Sequence, residues 1–166
     1  MAKQERRDSL VIRELNLEHL DQYNRLLRYA FQVTNRDLFN SGYEEGELLR
    51  SKRPVLEHAN VIGWFNGDKL VSQLSVYPCR VNIHGVTMRM GGLTGVGTYP
   101  EYANLGLMSE LIKMGLSGMR ERGEWISYLY PYSIPFYRKK GWELMSERLT
   151  FTIQDPCQLV RKSLGD

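Results

Sequence analysis

The sequence predicts an α/β fold in which a mixed, mostly antiparallel sheet is flanked by helices. Two hairpin turn signals, Asn66-Gly67-Asp68 and His84-Gly85, separate β-rich runs in the middle of the chain. A helical period follows, and its apolar face consists of Met108, Leu111, Ile112, Gly115 and Met119. The short apolar run Trp125–Tyr130 then has the composition of a buried strand. Together these patterns predict the element order β-α-α-β-β-β-α-β-α-β.

The chain is predicted to begin with a strand and a helix. Leu10–Arg13 is the strand, and the charged residues that precede it are expected to be a solvated end. Asn16 is placed to cap a helix over Leu17–Phe31, because its side chain can accept from an N–H group of the first turn. The apolar residues of this segment share one helical face, as expected for a helix that packs on a sheet.

The next region is polar and irregular over Val33–Gly46, as variable loops that line a substrate site often are. A helical run over Glu44–Arg50 is expected to end at Pro54, because proline removes a hydrogen bond from a helix interior. The strands predicted around the two turn signals are Asn60–Phe65, Lys69–Tyr77, Cys79–Ile83, Val86–Met90 and its continuation Gly91–Thr98.

The end of the chain is predicted to add a short helix and a closing strand. Ser133 is placed to cap a helix over Ile134–Lys140, with a proline in its first turn. Trp142–Ile153 alternates roughly, as a closing strand or hairpin would. Residues 155–166 are expected to form a tail or the start of a linker, and the whole chain is expected to be a single domain.

Composition excludes several classes of protein. A formal charge of +3 over 166 residues, with basic residues scattered, does not indicate nucleic-acid binding. No apolar run approaches the roughly 20 residues that span a bilayer, and the charged start does not resemble a signal peptide. Cys79 and Cys157 suggest no disulfide framework, so a reducing cytoplasm is expected. His19, His58 and His84 lack metal-ligand spacing, so no metal is expected.

The stretch Gly91–Gly123 is the most informative part of the sequence, because it reads as a strand, a tight turn and a helix. The residues that lead into the helix are uncharged, and Gly106 allows close backbone approach. A helix N-terminus carries unpaired N–H groups and partial positive charge, so this one is a candidate phosphate site. The alternative is a plain strand–turn–helix in which the glycine serves only the turn.

Two common phosphate-binding loops are excluded. Gly95 and Gly97 begin a dinucleotide fingerprint, but its third glycine would fall at Pro100. The chain contains no glycine–lysine–serine or glycine–lysine–threonine triplet, so it has no P-loop.

Two segments resemble the GNAT superfamily of N-acetyltransferases, and most of all the N-terminal domain of the Eis-like (enhanced intracellular survival) proteins. Gly92–Leu111 is similar to the family's strand, acetyl-CoA loop and following helix. Leu129–Trp142, LYPYSIPFYRKKGW, is similar to its next strand and tyrosine-bearing helix. The order of elements over about residues 10–153 also fits. The loop departs from the family pattern, because Ala103 stands where Gln or Arg is usual and Met108 where Gly or Ala is usual.

The resemblance implies acetyl-CoA as cosubstrate, with no metal, and assigns residues to it. Backbone groups of Val96, Gly97 and Thr98 would hold the pantetheine arm. The diphosphate would lie at the start of the helix, on Asn104, Leu105, Gly106, Leu107 and Met108. Tyr137 would donate to the departing thiolate as the catalytic acid, and Ser133 would touch the cofactor unless it serves only as a helix cap. The missing arginines of the Eis-like loop imply a weaker electrostatic clamp on the phosphates.

The implied function is acetyl transfer from acetyl-CoA to a primary amine of a small molecule or peptide. A cationic amine is expected, with walls from Val33–Glu47 and Gln73–Tyr77. Eis-like proteins are usually longer and are thought to use their C-terminal carboxylate as base, so the resemblance assigns no base here. Glu101 is the nearest carboxylate, and a solvated turn residue is its simpler interpretation. The alternatives are a module that binds acyl-CoA without turnover and a purely structural module. Neither nucleic acid nor membrane is expected as a partner, and a homo-oligomer is left open.

Overall fold

The computed structural model of the chain describes residues 2–43, 47–147, 149–150 and 152, with side chains from residue 5 onward except those of residues 48–50. The chain divides into two compact units, one over residues 1–131 and the other from residue 132 onward. The elements of the first unit, in chain order, are α1 (Ala2–Asp8), β1 (Leu10–Glu14), a 3₁₀ turn (Leu17–His19), α2 (Leu20–Ala30), α3 (Asn35–Asn40), α4 (Glu47–His58), β2 (Asn60–Asn66), β3 (Lys69–Ile83), β4 (Val86–Thr98), a second 3₁₀ turn (Pro100–Tyr102), α5 (Leu107–Glu121) and β5 (Ile126–Leu129). The second unit contributes α6 (Ile134–Arg138).

The sheet confirms the predicted α/β class with a mixed, mostly antiparallel arrangement. Over the described residues the sheet has five strands in the order β1-β2-β3-β4-β5, and among these the β4–β5 pair is parallel and the others are antiparallel. Both predicted hairpins form, since Asn66 pairs with Lys69 and Ile83 pairs with Val86 across two-residue turns. Each turn contains residues with positive φ, which is the backbone geometry that two-residue hairpins favour.

One strand, β3, replaces the two strands predicted on either side of Pro78. The proline is tolerated because β2 ends opposite Val76, so from Pro78 onward the strand pairs with β4 alone. A proline has no N–H to donate, and the outer part of a strand is where that loss costs least.

The helices of the first half differ from the prediction in three places. The charged start forms α1 instead of a solvated end, and α3 was not expected. The helix α4 continues through Pro54 to His58. Pro54 itself is exposed, whereas Leu56 in the next turn is buried in the core, so packing of the apolar face outweighs the lost hydrogen bond. The Asn16 cap is confirmed, because its Oδ1 accepts from the Glu18 N–H at 3.0 Å.

Helices pack on both faces of the sheet. Tyr23 and Leu26 of α2 join a buried cluster with Phe65 of β2 and Leu70 of β3. On the other side, α5 approaches so closely that a Cβ on Gly115 would lie 3.1 Å from the Leu74 side chain. The helices on the two faces of the sheet together fix the positions of the second half of β4 and the start of α5.

The second unit contains a shorter helix than predicted. Ser133 occupies the N-cap position of α6 but makes no side-chain capping bond. The predicted closing strand Trp142–Ile153 is not formed at residues 142–147, 149–150 and 152, and its other residues lie outside the described part of the chain. The Leu144 N–H donates to the side-chain carboxylate of Glu143 at 2.9 Å, so it does not take part in a strand pairing. The tail at 155–166 and Cys157 also lie outside the described residues, and Cys79 is a free thiol.

Candidate functional site

The second half of β4 extends beyond its parallel partner. The β4–β5 pairing runs from Met90 opposite Ile126 to Leu93 opposite Leu129, whereas β4 itself continues to Thr98. On its other side β4 stays paired, with Gly97 opposite Gln73 and Thr98 opposite Ser72. Within the described ranges, no strand pairs with residues 94–98 on the β5 side. Backbone N–H and C=O groups of Val96–Thr98 are therefore available to an extended ligand there.

A β-bulge causes this separation. Thr94 pairs with Ser75 and Gly97 pairs with Gln73, so β4 holds one more residue than β3 between these two pairs. Gly95 lies in the bulge with φ +63°. A bulge bends its strand and increases the local twist, which turns the following residues away from the neighbouring strand.

Only glycine fits at position 95. A Cβ there would lie 2.5 Å from the Tyr23 Oη and 2.8 Å from the Ser75 Oγ, both far inside contact distance. These two oxygens are hydrogen bonded to each other at 3.0 Å, and burial raises the pKa of Tyr23 above its usual value. The bulge is thus held by a buried polar contact that ties α2 to β3.

The loop after β4 places its backbone, rather than its side chains, at the start of α5. Asn104 and Gly106 both have positive φ, and Gly106 is the N-cap residue of α5. Leu105 and Leu107 are buried and anchor the loop, and the Leu107 carbonyl accepts from the Trp64 indole N–H at 3.2 Å. The first N–H groups of an α-helix have no partner within the helix, so this fixed helix start presents donors to an anion.

Space for such an anion exists beside Gly106. A Cβ placed on this glycine would meet a single described atom within 4 Å, the Nη1 of Arg7 at 3.7 Å. Because Gly106 is exposed and has φ +77°, it leaves the helix start uncovered. The backbone at Gly106 is therefore accessible, and the phosphate site predicted there stays a prediction.

Sequence reasoning missed the contacts that α1 makes with this region. The Arg7 guanidinium forms an ion pair with Glu110 in the first turn of α5. Arg6 donates to the Glu101 carbonyl at 2.9 Å, and its guanidinium lies 5.9 Å from the centre of the Tyr102 ring. No local signal links residues about 100 positions apart, so only the folded chain shows this contact.

The two segments expected from the sequence to form the walls of a substrate site, Val33–Glu47 and Gln73–Tyr77, differ in their solvent exposure. Gln73 and Ser75 are fully buried, whereas Tyr77 at the end of the same stretch is half-buried. Val33 and Thr34 instead line a shallow pocket of about 390 Å³ next to α2, together with Arg25, Arg28, Tyr29 and Gln32. Glu101 carries an exposed ion pair with Lys69 at 3.8 Å, which fits a solvated turn residue.

Tyr137 lies in the second unit, on α6, where it is buried. Its ring packs edge-on against Tyr132, Phe136 and Trp142, with centroid distances of 5.1–6.1 Å. Burial, with a smaller contribution from Tyr132, raises the pKa of Tyr137 to about 12. The hydroxyl is therefore protonated at neutral pH and can act as a hydrogen-bond donor. Ser133 precedes α6, and its carbonyl accepts from the Tyr137 N–H at 3.3 Å.

Two kinds of feature are absent from the part of the chain that the structure describes. No group of three or more His, Cys, Asp or Glu side chains among them could hold a metal ion. No helix in the described ranges is both long and apolar enough to cross a membrane.

Several solved structures that share this fold are described as acyltransferases or acetyltransferases. A probable N-acyltransferase from Enterococcus faecalis V583 is 30% identical, with a TM-score of 0.68 over 80% of this chain. The match covers 32% of that protein, so this chain spans about a third of its length. A GCN5-related N-acetyltransferase from Ralstonia eutropha JMP134 has a TM-score of 0.72 at 16% identity, covering 86% of this chain and 98% of that one. A predicted acetyltransferase from Clostridium acetobutylicum, solved with acetyl-CoA, has a TM-score of 0.67 at 16% identity, covering 86% and 96%.

Sequence comparison identifies the family. No curated protein sequence matches the chain closely enough to count as a relative. The family model described as an acetyltransferase (GNAT) domain matches residues 11–145, a range that begins within β1 and ends beyond α6. The two more distant structures share the fold alone, whereas the family model covers most of the sequence. The chain therefore belongs to the GNAT family of acetyltransferase domains.

Proposed function

We propose that the chain is an acetyl-CoA-dependent N-acetyltransferase that acts on the primary amine of a small molecule or peptide. The observation that supports this most directly is the unpaired side of β4 at Val96–Thr98, followed at once by the uncovered start of α5 at Gly106. An extended thioester-bearing arm that ends in a diphosphate matches this order of backbone groups and helix N-terminus. Acetyl-CoA would supply the activated acetyl group.

The residues of this chain would perform three tasks toward acetyl-CoA. The open backbone groups of Val96, Gly97 and Thr98 would hold the pantetheine arm. The helix start from Asn104 to Met108 would bind the diphosphate through its N–H groups, which do not depend on side-chain identity. An N–H group of β4 would stabilise negative charge that develops on the acetyl oxygen, because it is fixed before the reaction begins.

Tyr137 is proposed as the donor to the departing thiolate, and Ser133 as a residue that contacts the cofactor. Both proposals come from the resemblance of the Leu129–Trp142 segment to the family. With a pKa of about 12, the Tyr137 phenol holds its proton more tightly than a thiol with a pKa near 8.5. Complete transfer from the phenol is therefore uphill, and the hydroxyl is proposed to donate a hydrogen bond while charge builds on the sulfur.

The finer assignments are also proposals. The 30% identity to a considerably longer protein, of which the match covers 32%, supports placing the chain near Eis-like proteins, whose N-terminal part it would match. The pocket next to α2 carries Arg25 and Arg28 on its lining, so in place of the cationic amine expected from the sequence we propose an acceptor amine without a strong net positive charge. The proposed location is the cytoplasm, where acetyl-CoA is available.

A second candidate function is acyl-CoA binding without turnover. It is favoured by the loop itself, since residues 103–109 include no basic side chain, and by the lack of an assigned base. Isothermal titration with acetyl-CoA, followed by a thiol-release assay over a panel of neutral, anionic and cationic amines, separates the two. Binding with thiol release that depends on the amine supports the enzyme, whereas binding without release with any amine supports the binding module. No binding at all contradicts both.

A further inference from the structure

We propose that Arg7, on the N-terminal helix α1, binds the diphosphate of acetyl-CoA at the start of α5. This inference rests on the proposed function and adds a residue outside the family's loop. Arg7 precedes the loop by about 100 positions and is brought to it only by the fold.

The local sequence supplies no positive side chain to this site. Between Arg89 and Lys113 the chain contains no lysine, arginine or histidine, and this interval includes the open half of β4, the loop and the first turn of α5. The only positive contribution within it is the partial charge at the helix start, worth roughly half an elementary charge. A diphosphate bound there would benefit strongly from a cation supplied by another element.

Arg7 is the cation that the fold places beside Gly106. One terminal nitrogen, Nη2, pairs with the Glu110 carboxylate, and the other, Nη1, lies 3.7 Å from the position of a Cβ on Gly106. A guanidinium carries five N–H donors, so the contact with one carboxylate oxygen leaves donors for a second anion. The Arg7 side chain is 38% exposed, so a ligand at the helix start can reach it.

The effect of removing Glu110 on acetyl-CoA affinity distinguishes a binding role of Arg7 from a purely structural one. A carboxylate in the first turn stabilises the helix through the macrodipole, but it repels a diphosphate at the same helix start. Arg7 neutralises that charge and orients toward the glycine. If Arg7 served only to anchor α1, removing either partner of the ion pair would have the same effect. If Arg7 binds phosphate, removal of Arg7 weakens binding, whereas removal of Glu110 leaves it unchanged or strengthens it.

The experiment is isothermal titration of acetyl-CoA into the wild-type chain and four variants. Arg7→Gln should weaken binding about three- to tenfold, as expected for a partly exposed charge-assisted contact. Arg7→Lys should retain part of the affinity, because lysine binds phosphate as a point charge. Glu110→Gln should bind as tightly as wild type or more tightly. Arg53→Gln is the matched control, since it removes the same charge from an exposed ion pair with Glu57 on α4, and should bind like wild type.

Titrations with two further ligands show which phosphate of acetyl-CoA Arg7 contacts. Dephospho-CoA keeps the diphosphate, so the deficit of Arg7→Gln should persist with it. Acetyl-pantetheine lacks both phosphate positions, so all variants should bind it equally. The Arg7→Gln deficit should also shrink at high salt, because an exposed charge contact is screened.

Four results would overturn the inference: equal binding by Arg7→Gln and wild type, equal losses in Arg7→Gln and Glu110→Gln, an undiminished loss with acetyl-pantetheine, or a loss that disappears with dephospho-CoA. Circular dichroism and thermal melting of each variant show whether it is folded, and Arg7→Lys tests the charge if Arg7→Gln unfolds. Failure of the wild-type chain to bind acetyl-CoA would instead refute the proposed function itself.

Discussion

At the scale of single residues, the buried phenol of Tyr137 is the most specific candidate for chemistry. Its ring packs among three other aromatic rings, and burial raises its pKa to about 12. Tyr130 in the preceding segment is 89% exposed, which makes it a suitable comparison. A buried donor loses no hydrogen bonds to bulk water when it meets a developing charge, so it is more effective than an exposed one.

Tyr137→Phe should reduce kcat while leaving the Kd for acetyl-CoA close to wild type. In the proposed role the hydroxyl would donate mainly as charge builds on sulfur, so its removal would raise the free energy of the transition state and not that of the bound cofactor. We expect a decrease near about 10²-fold, the low end of general acid catalysis, because the high pKa limits the phenol to hydrogen bonding. Steady-state thiol release and titration calorimetry measure the two quantities, with Tyr130→Phe as control. If the two variants turn over equally, the donor is another group, and Tyr132 is the next to test.

At the scale of elements, two glycines with positive φ shape the site, one in the bulge of β4 and one at the start of α5. Gly95 lets the strand bend away from β5, and Gly106 leaves the helix N-terminus open. For each of these two glycines, another glycine of the chain has a comparable position outside the site and can serve as a control for substitution. Gly123 near the end of α5 shares the left-handed backbone without lying at the site, and Gly92 lies in β4 outside the bulge.

Gly106→Val should abolish or severely weaken acetyl-CoA binding in a protein that still folds. A branched side chain would cover the helix start and occupy the space of the phosphate. Gly123→Val imposes the same left-handed strain, about 1–2 kcal/mol, at the other end of the region. Both variants should therefore melt at similarly reduced temperatures, and only Gly106→Val should lose the ligand in calorimetry. Equal affinity in the two would place the diphosphate elsewhere.

Gly95→Ala should destabilise the protein by about 2–4 kcal/mol, from left-handed strain together with overpacking against Tyr23 and Ser75. Gly92→Ala should cost much less, since its Cβ would lie 3.4 Å from the nearest atom, the Cys79 Sγ. Combining Gly95→Ala with Tyr23→Phe removes one of the two clashing oxygens, so the double variant should lose less than the sum of the single losses. Urea denaturation measures these values. Strict additivity would show that the bulge does not depend on Tyr23.

At the scale of the whole molecule, buried tyrosines link stability to alkaline pH. Burial raises the pKa of both Tyr23 and Tyr137 above the value near 10 that they have when unfolded. Well below pH 10, both tyrosines are protonated in the folded and in the unfolded chain, so neither of them makes the free energy of unfolding depend on pH. As pH rises from about 10 toward about 12, the unfolded chain releases these protons while the folded chain retains them, so the free energy of unfolding falls.

This linkage predicts a decline in urea midpoint between about pH 9.5 and pH 11.5. Lysine deprotonation also acts in this range, so the comparison is between variants measured under the same conditions. Tyr137→Phe should show a shallower decline than wild type, whereas Tyr130→Phe, which removes an exposed phenol, should follow the wild-type curve. Identical slopes in all three proteins would mean that the folded state ionises Tyr137 as easily as the unfolded state does.

The sequence by itself determined the features that depend on neighbouring residues. The two hairpin turns, the Asn16 cap and the helix start at Gly106 all follow from preferences that act over a few positions, and the structure contains each of them. Hydrophobic periodicity likewise located α5, because one helical face must meet the sheet. The α/β class followed from the order of these local elements.

Only the tertiary structure decided the features that depend on distant contacts. Pro54 and Pro78 lie inside regular elements because packing and an unpaired strand side offset their local cost. The space that restricts position 95 to glycine is closed by Tyr23 of α2, and the open side of β4 depends on where β5 stops. The approach of Arg7 to Gly106 joins segments about 100 residues apart. Such contacts lower the free energy only once the intervening chain has folded, so no short window of sequence carries their signal.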